Sequence, residues 1–323
     1  MKSLVTICIT TYNRKELLPL TLKSILNQTY KDIEIIIVDD FSSDGTQELI
    51  ENELLKWDRR IKYVRHSKNN GLAFGRNTAI NNAKGKYFTF CDDDDEWEDN
   101  FIEEFVKIAD SYGVSWCFYC GCKYKNLLGT MINIIYDFEG TIKEHIKNGY
   151  TPPVASQFYR LESLKEINGY NENIKSGVDH DLWLRLATIN INIKSIPKAL
   201  SIPNANARQE RMTTNYEKRI NGIKSSLLIW ENDIESLFGK KFYIKFCNAY
   251  LERERLKFLN IYLKELDFIK VNKLKGQISN FNFFKNVIVV ILKLFIQKIT
   301  PNILVSRNKN ILLTPTLKIK NET

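Results

Sequence analysis

Four consecutive aspartates, Asp92 to Asp95, follow the apolar, strand-like residues 87–91. Two like charges roughly 4 Å apart repel by about 1 kcal/mol in water and by about 4 kcal/mol near a protein surface. Many acidic runs are solvated loops. This run, however, directly follows a hydrophobic strand instead of lying in a polar linker. The placement therefore favours a metal site, in which a bound cation neutralises the repulsion.

The aspartates suit Mg²⁺ or Mn²⁺, which prefer hard oxygen ligands and keep open positions for a diphosphate. The first strand is followed neither by a Gly-x-Gly-x-x-Gly motif nor by a phosphate-loop lysine, so a carboxylate-held cation is the natural partner of a nucleotide phosphate. In an extended segment Asp92 and Asp94 would face one side, and Asp93 and Asp95 the other. We expect one pair to bind the metal while its neighbours contact ribose or the acceptor.

The first hundred residues alternate strand and helix patterns. Apolar, β-rich runs predict strands at 4–10, 33–38, 61–64 and 87–90. Turn signals and apolar stripes predict helices at 16–26, 47–55 and 78–83. This order implies an α/β fold with a mostly parallel sheet, whose ligands bind beyond the carboxyl ends of the strands. Asp39-Asp40 and the four aspartates both follow strands, so we expect them to converge on one ligand.

The remainder of the chain is less regular and becomes basic. Patterns predict a strand at 115–124 and helices at 101–112, 161–167 and 179–188. Residues 240–323 hold 17 Lys and Arg against 5 Asp and Glu, whereas the whole chain has a net charge of +9. The basic character thus belongs to the C-terminal part. This argues against a nucleic-acid-binding core and for an appendage that touches an anionic partner.

Residues 281–299 are strongly apolar but contain lysines at 285, 293 and 298. Such a segment could be a core helix or could lie on an anionic membrane surface, and we favour peripheral membrane attachment. No run of about 18 uncharged apolar residues is present, and the N-terminus leads directly into a strand, so we expect neither a spanning helix nor a signal peptide. Cys117, Cys120 and Cys122 lack a fourth zinc ligand at credible spacing, so we expect the six cysteines to be free, mostly buried thiols in a reducing cytosol.

Five motifs lie in order within residues 4–105. Residues 10–14 read T-T-Y-N-R, residues 24–30 read S-I-L-N-Q-T-Y, and residues 37–46 read I-V-D-D-F-S-S-D-G-T. Residues 70–77 read N-G-L-A-F-G-R-N, and residues 90–97 read F-C-D-D-D-D-E-W. Together they resemble family 2 inverting glycosyltransferases with the GT-A fold. In that family the matching segments are the opening strand with its Tyr-Asn turn, the S-hydrophobic-L-x-Q-T helix end, V-D-D-x-S-x-D-x-T, N-x-G-x-x-x-A-R-N, and the F-L-D-x-D-D-x-W segment that carries the DXD element.

The resemblance implies roles for the donor side of the site. Thr10, Tyr12 and Asp40 match the residues that hold the nucleotide base, and Asp39 matches a residue that supports the same base-binding part of the site. Arg76 matches an arginine that contacts the nucleotide. Asp92 and Asp93 match positions near ribose and metal, with Asp92 also a metal candidate, and Asp94 matches the direct metal ligand.

Residues 176–186 resemble the E-D-x-D-L-W-L-R segment of the family, whose Asp is the general base. Asp179 matches that base, and Val178 stands where the family has glutamate. Asp181 is expected to be a carboxylate of the helix N-terminus, and His180 is a candidate third metal ligand or proton partner. Arg208 matches the arginine of a Y-R-x-H-x-x-S-x-T loop that would cover the donor diphosphate.

The prediction that follows is a GT-A catalytic domain at 1–215, with a nucleotide-sugar half at 1–105 and an acceptor half at 106–215. A basic helical extension would follow at 216–323. The resemblance implies an inverting hexosyl- or N-acetylhexosaminyltransferase that uses Mn²⁺ or Mg²⁺ and a nucleotide-sugar donor, UDP-linked. Its acceptor would be a lipid-linked saccharide, for a surface polysaccharide, at the inner face of the cytoplasmic membrane. A sugar nucleotidyltransferase and a non-catalytic nucleotide-sugar-binding protein are the alternatives.

Overall fold

The computed structural model of the chain describes residues 2–125, 131–149, 156–204, 215–264, 268–275, 277–278, 282 and 318–320. The chain divides into two compact units. The first comprises residues 1–209 with 313–323, and the second comprises residues 210–312.

The first half of the first unit is built on four parallel strands. They are β1 (Val5–Thr11), β2 (Ile33–Asp39), β3 (Ile61–Arg65) and β4 (Tyr87–Asp92). Their spatial order is β4-β1-β2-β3, and every neighbouring pair is parallel. All seven residues of β2 are buried, as expected for a strand whose two faces are both covered.

Helices connect these strands and cover the sheet. They are α1 (Leu18–Leu26), α2 (Thr46–Asn52), α3 (Leu72–Asn82) and α4 (Phe101–Ala109), with a short 3-10 helix at Leu54–Lys56. Ile7 of β1, Leu22 of α1 and Phe105 of α4 belong to one buried apolar cluster. Burial of these side chains, at about 25 cal/mol per Å² of apolar surface, fixes the sheet that carries the polar strand ends.

The second half of this unit adds strands of mixed direction. They are β5 (Glu96–Trp97), β6 (Trp116–Lys125), β7 (Met131–Ile135), β8 (Glu139–Thr141), β9 (Gln157–Arg160) and β10 (Asn192–Ile202). Strand β9 joins the halves, because it pairs antiparallel with both β4 and β6. Three helices accompany these strands: α5 (Ile142–Lys147), α6 (Leu161–Glu166) and α7 (Val178–Thr188).

The second unit is helical in its described part. Its helices are α8 (Tyr216–Ile229), α9 (Glu231–Phe238), α10 (Lys240–Lys264) and α11 (Phe268–Lys275). Phe258, Leu259 and Leu274 lie in its own buried apolar cluster. None of the helices that the structure describes is both long and apolar enough to cross a membrane. The predicted membrane-surface segment 281–299 lies outside the described residues, apart from Asn282.

The predicted α/β fold is confirmed, with two refinements. The sheet is parallel in the first half and mixed in the second, where β9 runs antiparallel to its neighbours. Residues 318–320 form a short strand, β11 (Lys318–Lys320), that pairs with β7, whereas the sequence had placed them in the helical extension. All six cysteine thiols are free, and five of them are buried.

Candidate functional site

The parallel register brings three strand ends together at one edge of the sheet. Thr10 of β1 is opposite Val38 of β2 on one side and Asp92 of β4 on the other, and Thr11 is opposite Asp39. Polar side chains that follow these strands therefore share one edge. This is the edge at which the sequence predicted that Asp39-Asp40 and the four consecutive aspartates would converge.

A turn at the end of β4 gathers three of the four consecutive aspartates. The Asp95 backbone N–H donates to the Asp92 carbonyl at 3.0 Å, so the chain reverses instead of staying extended. As a result, one carboxylate oxygen each from Asp92, Asp94 and Asp95 lies within 4.8 Å of the others. The strand alternation expected from sequence had placed Asp95 on the opposite side from Asp92 and Asp94. Three hard oxygen donors at this spacing fit Mn²⁺ or Mg²⁺ after small side-chain adjustments.

Asp93 lies outside this acidic cluster of Asp92, Asp94 and Asp95. Burial raises the pKa of Asp93 to about 7, the neighbouring Thr11 side chain lowers it, and the charges of Asp92 and Asp94 raise it further. Its carboxyl group is therefore far easier to protonate than an ordinary aspartate. The predicted contact with ribose remains a prediction.

Arg76 of α3 is a buried cation at the centre of the site, with an exposed fraction of 0%. Its guanidinium donates to Asp179 Oδ1 at 2.7 Å through Nη1 and to Asp92 Oδ1 at 3.1 Å through Nη2. The Phe90 ring lies 3.8 Å from the guanidinium carbon, and the Tyr170 ring 5.2 Å from it. These contacts are with protein groups, and the contact with the nucleotide that the resemblance implied for Arg76 stays a prediction.

Asp179 stands in the first turn of α7, directly after Gly177 and Val178. Gly177 is the N-cap and has a φ of +84°, a left-handed conformation that glycine adopts without a Cβ penalty. Burial raises the pKa of Asp179 above its usual value, the Arg76 charge opposes that rise, and the Asp92 charge adds to it. A carboxylate with a raised pKa is suited to act as a general base.

The remaining site residues predicted near Asp179 and in the loop that would cover the donor are Asp181, His180 and Arg208. Asp181 is 2% exposed, and its carboxylate accepts a 2.8 Å hydrogen bond from Nε of Arg185, one turn later on the same helix. His180 is half-buried in the first turn of α7. Arg208 lies outside the described residues.

Asp39 stabilises the turn after β2 and Asp40 the start of α3, on the side of the site that the resemblance assigned to the donor. Asp39 is fully buried and accepts hydrogen bonds from the Ser42 N–H, the Tyr63 hydroxyl and the Arg65 guanidinium.

Asp40 accepts hydrogen bonds from the backbone N–H groups of Asn70 at 2.9 Å and Gly71 at 2.7 Å, at the start of α3. The His66 ring also lies 2.8 Å from it. Asp40 thereby fixes the helix that carries Arg76.

Tyr12 is 47% exposed at the end of β1, as a side chain that stacks on a nucleobase would need to be. The following residue, Asn13, ties this turn to the turn after β2. Its N–H donates to Ser42 Oγ at 2.9 Å, and its side-chain oxygen accepts from the Ser43 N–H at 2.7 Å. The two turns therefore form one rigid corner.

Sequence reasoning missed Tyr170 and Asn77, which connect the two halves of the site. The Asn77 side chain accepts from the Tyr170 N–H at 2.7 Å and donates to the Tyr170 carbonyl at 2.9 Å, and this holds the Tyr170 ring near Arg76. Asn77 is the last residue of the segment that resembles N-x-G-x-x-x-A-R-N, but the resemblance gave it no role. No pattern pointed to Tyr170, since the contact spans 93 residues.

The geometry can be compared with known proteins. Residues 6–167 match the sequence profile described as "Glycosyl transferase family 2". An "Uncharacterized glycosyltransferase" of Rickettsia conorii is 31% identical over 292 residues, which are 88% of this chain and 44% of that protein. The Escherichia coli protein WfaP, a "UDP-Glc:alpha-D-GlcNAc-diphosphoundecaprenol beta-1,3-glucosyltransferase", is 46% identical over 94 residues, 29% of this chain and 36% of that protein.

Two solved structures share the fold. The S. aureus TarS 1-349 complex with UDP-GlcNAc superimposes with a TM-score of 0.60 and 19% identity, over 81% of this chain and 73% of that chain. The mannosyltransferase PcManGT from Pyrobaculum calidifontis, in complex with GDP-Man and Mn²⁺, gives a TM-score of 0.57 and 12% identity, over 94% and 89%.

The chain spans less than half the length of the first curated relatives that it matches. The family profile nevertheless covers half of the chain, including the strand ends, Arg76 and the acidic cluster. The chain therefore belongs to glycosyltransferase family 2 and has the GT-A fold.

Proposed function

We propose that this chain is an inverting, metal-dependent glycosyltransferase that moves a hexosyl or N-acetylhexosaminyl group from a UDP-sugar to a hydroxyl of a lipid-linked saccharide. The name of the E. coli relative supports a UDP-sugar donor and a diphosphoundecaprenol-linked acceptor. The TarS complex with UDP-GlcNAc supports the same donor class. A Bacillus subtilis relative, named as a putative teichuronic acid biosynthesis glycosyltransferase, together with the E. coli relative favours a role in surface glycan assembly.

One observation carries the proposal: Arg76 joins the acidic cluster, through Asp92, to the raised-pKa carboxylate of Asp179. An inverting sugar transferase must place a donor diphosphate and an acceptor hydroxyl on opposite sides of one anomeric carbon. The acidic cluster and Asp179 supply one group for each task. A protein that only binds nucleotide sugars has no need of the second.

The chemistry follows from these two groups. Asp179 takes the proton of the acceptor hydroxyl, whose oxygen forms a bond to the anomeric carbon. The bond between that carbon and the diphosphate oxygen breaks on the opposite face, and the configuration inverts. A general base of this kind contributes about 10²- to 10⁴-fold in rate. A divalent cation on Asp92, Asp94 and Asp95 would neutralise the charge that develops on the departing diphosphate.

The test is a screen of UDP- and GDP-sugars for release of the nucleoside diphosphate, with Mn²⁺ and with a chelator. We expect one donor to be consumed with Mn²⁺ and not with the chelator. Asp179→Asn should lose at least about 100-fold in kcat while it still binds UDP. Asp110→Asn is the matched control, because Asp110 contacts Ser3, Lys86 and Tyr87 near the amino ends of β1 and β4. Full turnover in Asp179→Asn would refute the proposed mechanism.

We also propose that the basic C-terminal part attaches the protein to an anionic membrane surface, which would bring a lipid-linked acceptor within reach. The support is the excess of lysines and arginines in residues 240–323, each contributing about 1 kcal/mol near such a surface. Flotation with vesicles that contain anionic lipid tests this. Replacement of Lys285, Lys293 and Lys298 by glutamate should release the protein from the vesicles, and equal flotation would contradict the proposal.

A further inference from the structure

Phe41, the residue after the Asp39-Asp40 pair, has an unusual backbone. Its φ is +70°, in the left-handed region, and its side chain is 46% exposed. A bulky residue in this region is a conformational outlier, which persists only where the surroundings impose it. The family pattern leaves this position open. The Phe41 ring therefore needs an explanation specific to this chain.

The surroundings impose the conformation from both sides of Phe41. Before it, the Asp40 N–H donates to the Thr11 carbonyl at 2.9 Å. After it, the Ser42 N–H donates to Asp39 Oδ1 at 2.8 Å, and Ser42 Oγ accepts from the Asn13 N–H at 2.9 Å. The turn is thus fixed by β1 and by the buried Asp39, whatever side chain stands at position 41.

A guanidinium group supports the Phe41 ring. The Arg65 guanidinium carbon lies 5.2 Å from the ring centroid, a distance that allows a cation–π contact. Arg65 is itself anchored, with a 2.7 Å hydrogen bond to Asp39 Oδ2 and a 3.0 Å hydrogen bond to the Ser42 carbonyl. The ring is therefore held in place by Arg65 while nearly half of it stays accessible to solvent.

Phe41 follows β2, and Tyr12, which is also an exposed aromatic residue, follows the adjacent strand β1. Thr11 and Asp39 are opposite each other in the parallel register, so Tyr12 and Phe41 leave adjacent strands within one residue of the same level. Adjacent strands are about 4.8 Å apart. Two accessible rings are thereby presented at the corner where the sequence places the nucleotide base.

We propose that Phe41 is a binding residue for the nucleobase of the donor, which stacks on the accessible part of the Phe41 ring next to Tyr12. The ligand class is a nucleoside diphosphate with a pyrimidine base. This inference rests on the proposed function and deepens it. The fixed backbone of Phe41 and the anchored Arg65 keep the ring in one position before the nucleotide binds. The ring is therefore preorganised for stacking on the base.

The experiment measures binding of UDP and of GDP to the full chain by calorimetry, with Mn²⁺ present. Phe41→Gly and Phe41→Ala both remove the ring, and we expect each to weaken UDP binding about tenfold, within the range of base–aromatic stacking. Phe41→Tyr keeps a ring and should stay within about threefold of the unsubstituted protein. Asn190→Gly is the control, because Asn190 also has a positive φ, of 56°, but follows α7.

Thermal melting distinguishes binding from folding. Phe41→Gly should melt above Phe41→Ala, since glycine adopts a positive φ freely, although both should bind UDP equally weakly. UDP affinities of Phe41→Gly and Phe41→Ala within twofold of the unsubstituted protein would overturn the inference and leave the proposed function intact. An unsubstituted chain that binds neither UDP nor GDP would overturn both.

Discussion

The guanidinium of Arg76 donates a 2.7 Å hydrogen bond to the carboxylate of Asp179, 103 residues later in the chain. The same guanidinium reaches Asp92 of the acidic cluster at 3.1 Å. A fully buried arginine is costly to desolvate unless it is paired, and here two carboxylates and two aromatic rings compensate the charge. One cation thus sets the position of the proposed base relative to the proposed metal ligands.

Replacement of Arg76 by methionine should lower kcat by at least about 100-fold, because Asp179 loses the donor that orients it. UDP binding should change by less than about fivefold if Arg76 acts through Asp179 and not on the nucleotide. The measurement is a steady-state analysis that separates kcat from KM, with calorimetry for UDP. The melting temperature should also fall, because the partly buried Asp179 carboxylate loses its paired cation.

Tyr170→Phe is the control for that substitution, since it removes only the 3.4 Å contact between the hydroxyl and Arg76. Its kcat should stay within about threefold of the unsubstituted protein. If Arg76→Met instead raises KM for the donor with kcat unchanged, Arg76 binds the nucleotide directly, as the sequence resemblance implied.

Asp95 should contribute to metal binding as strongly as Asp94. The turn at the end of β4 brings both carboxylates and Asp92 within 4.8 Å, so the loss of either acidic ligand should weaken Mn²⁺ binding at least about tenfold. Electron paramagnetic resonance titration of free Mn²⁺ against the protein gives the affinities of Asp94→Asn and Asp95→Asn. Asp93→Asn provides the comparison, because Asp93 lies outside the cluster. Weakening in Asp95→Asn as slight as that in Asp93→Asn, with Mn²⁺ binding lost in Asp94→Asn, would show that strand alternation, and not the turn, describes the site.

Asp40→Ala should destabilise the first unit by about 2–4 kcal/mol, because it leaves the Asn70 and Gly71 N–H groups without their acceptor. Asp40→Asn, which keeps one acceptor oxygen, should cost less. Urea unfolding followed by circular dichroism measures both variants. Unchanged stability in Asp40→Ala, accompanied by a loss of UDP binding, would assign Asp40 to the donor instead of to the start of α3.

The stability of the metal-free protein should depend on pH through Asp93. Its pKa is raised to about 7 in the folded state, above an ordinary value of 3.8, so the folded state binds more protons than the unfolded state between these values. Its contribution to stability is present below pH 3.8 and is lost as the pH rises through about 7. Asparagine mimics the protonated form and does not titrate. With chelator present, the melting advantage of Asp93→Asn should therefore grow from pH 4 to pH 7 and then level off. A constant difference across that range would contradict the raised pKa.

Much of the fold could be predicted from local patterns. The apolar runs located β1 to β4 within two residues at each end, because strand residues form short β-rich apolar runs, which are nearly continuous where both faces are covered, as in β2. Helix α3 was predicted only at 78–83 but begins at Leu72. The first turns of α3 follow Gly71 and contain Gly75. Glycines at this spacing are typical of a loop, so the start of the helix was not predicted. Asp40 stabilises that start from 30 residues away.

Local sequence patterns were enough to name the chemical groups of the candidate site. Residue types and their order identified the carboxylates, the aromatic residue after β1 and Asp179, because strand periodicity and motif spacing are local properties. The arrangement of those groups depended on the folded chain. Folding brought Asp95 into the acidic cluster through a turn, placed Asp40 in hydrogen bonds at the start of α3, and paired Arg76 with Asp179. Each of these outcomes depends on hydrogen bonds or burial, which no local pattern encodes.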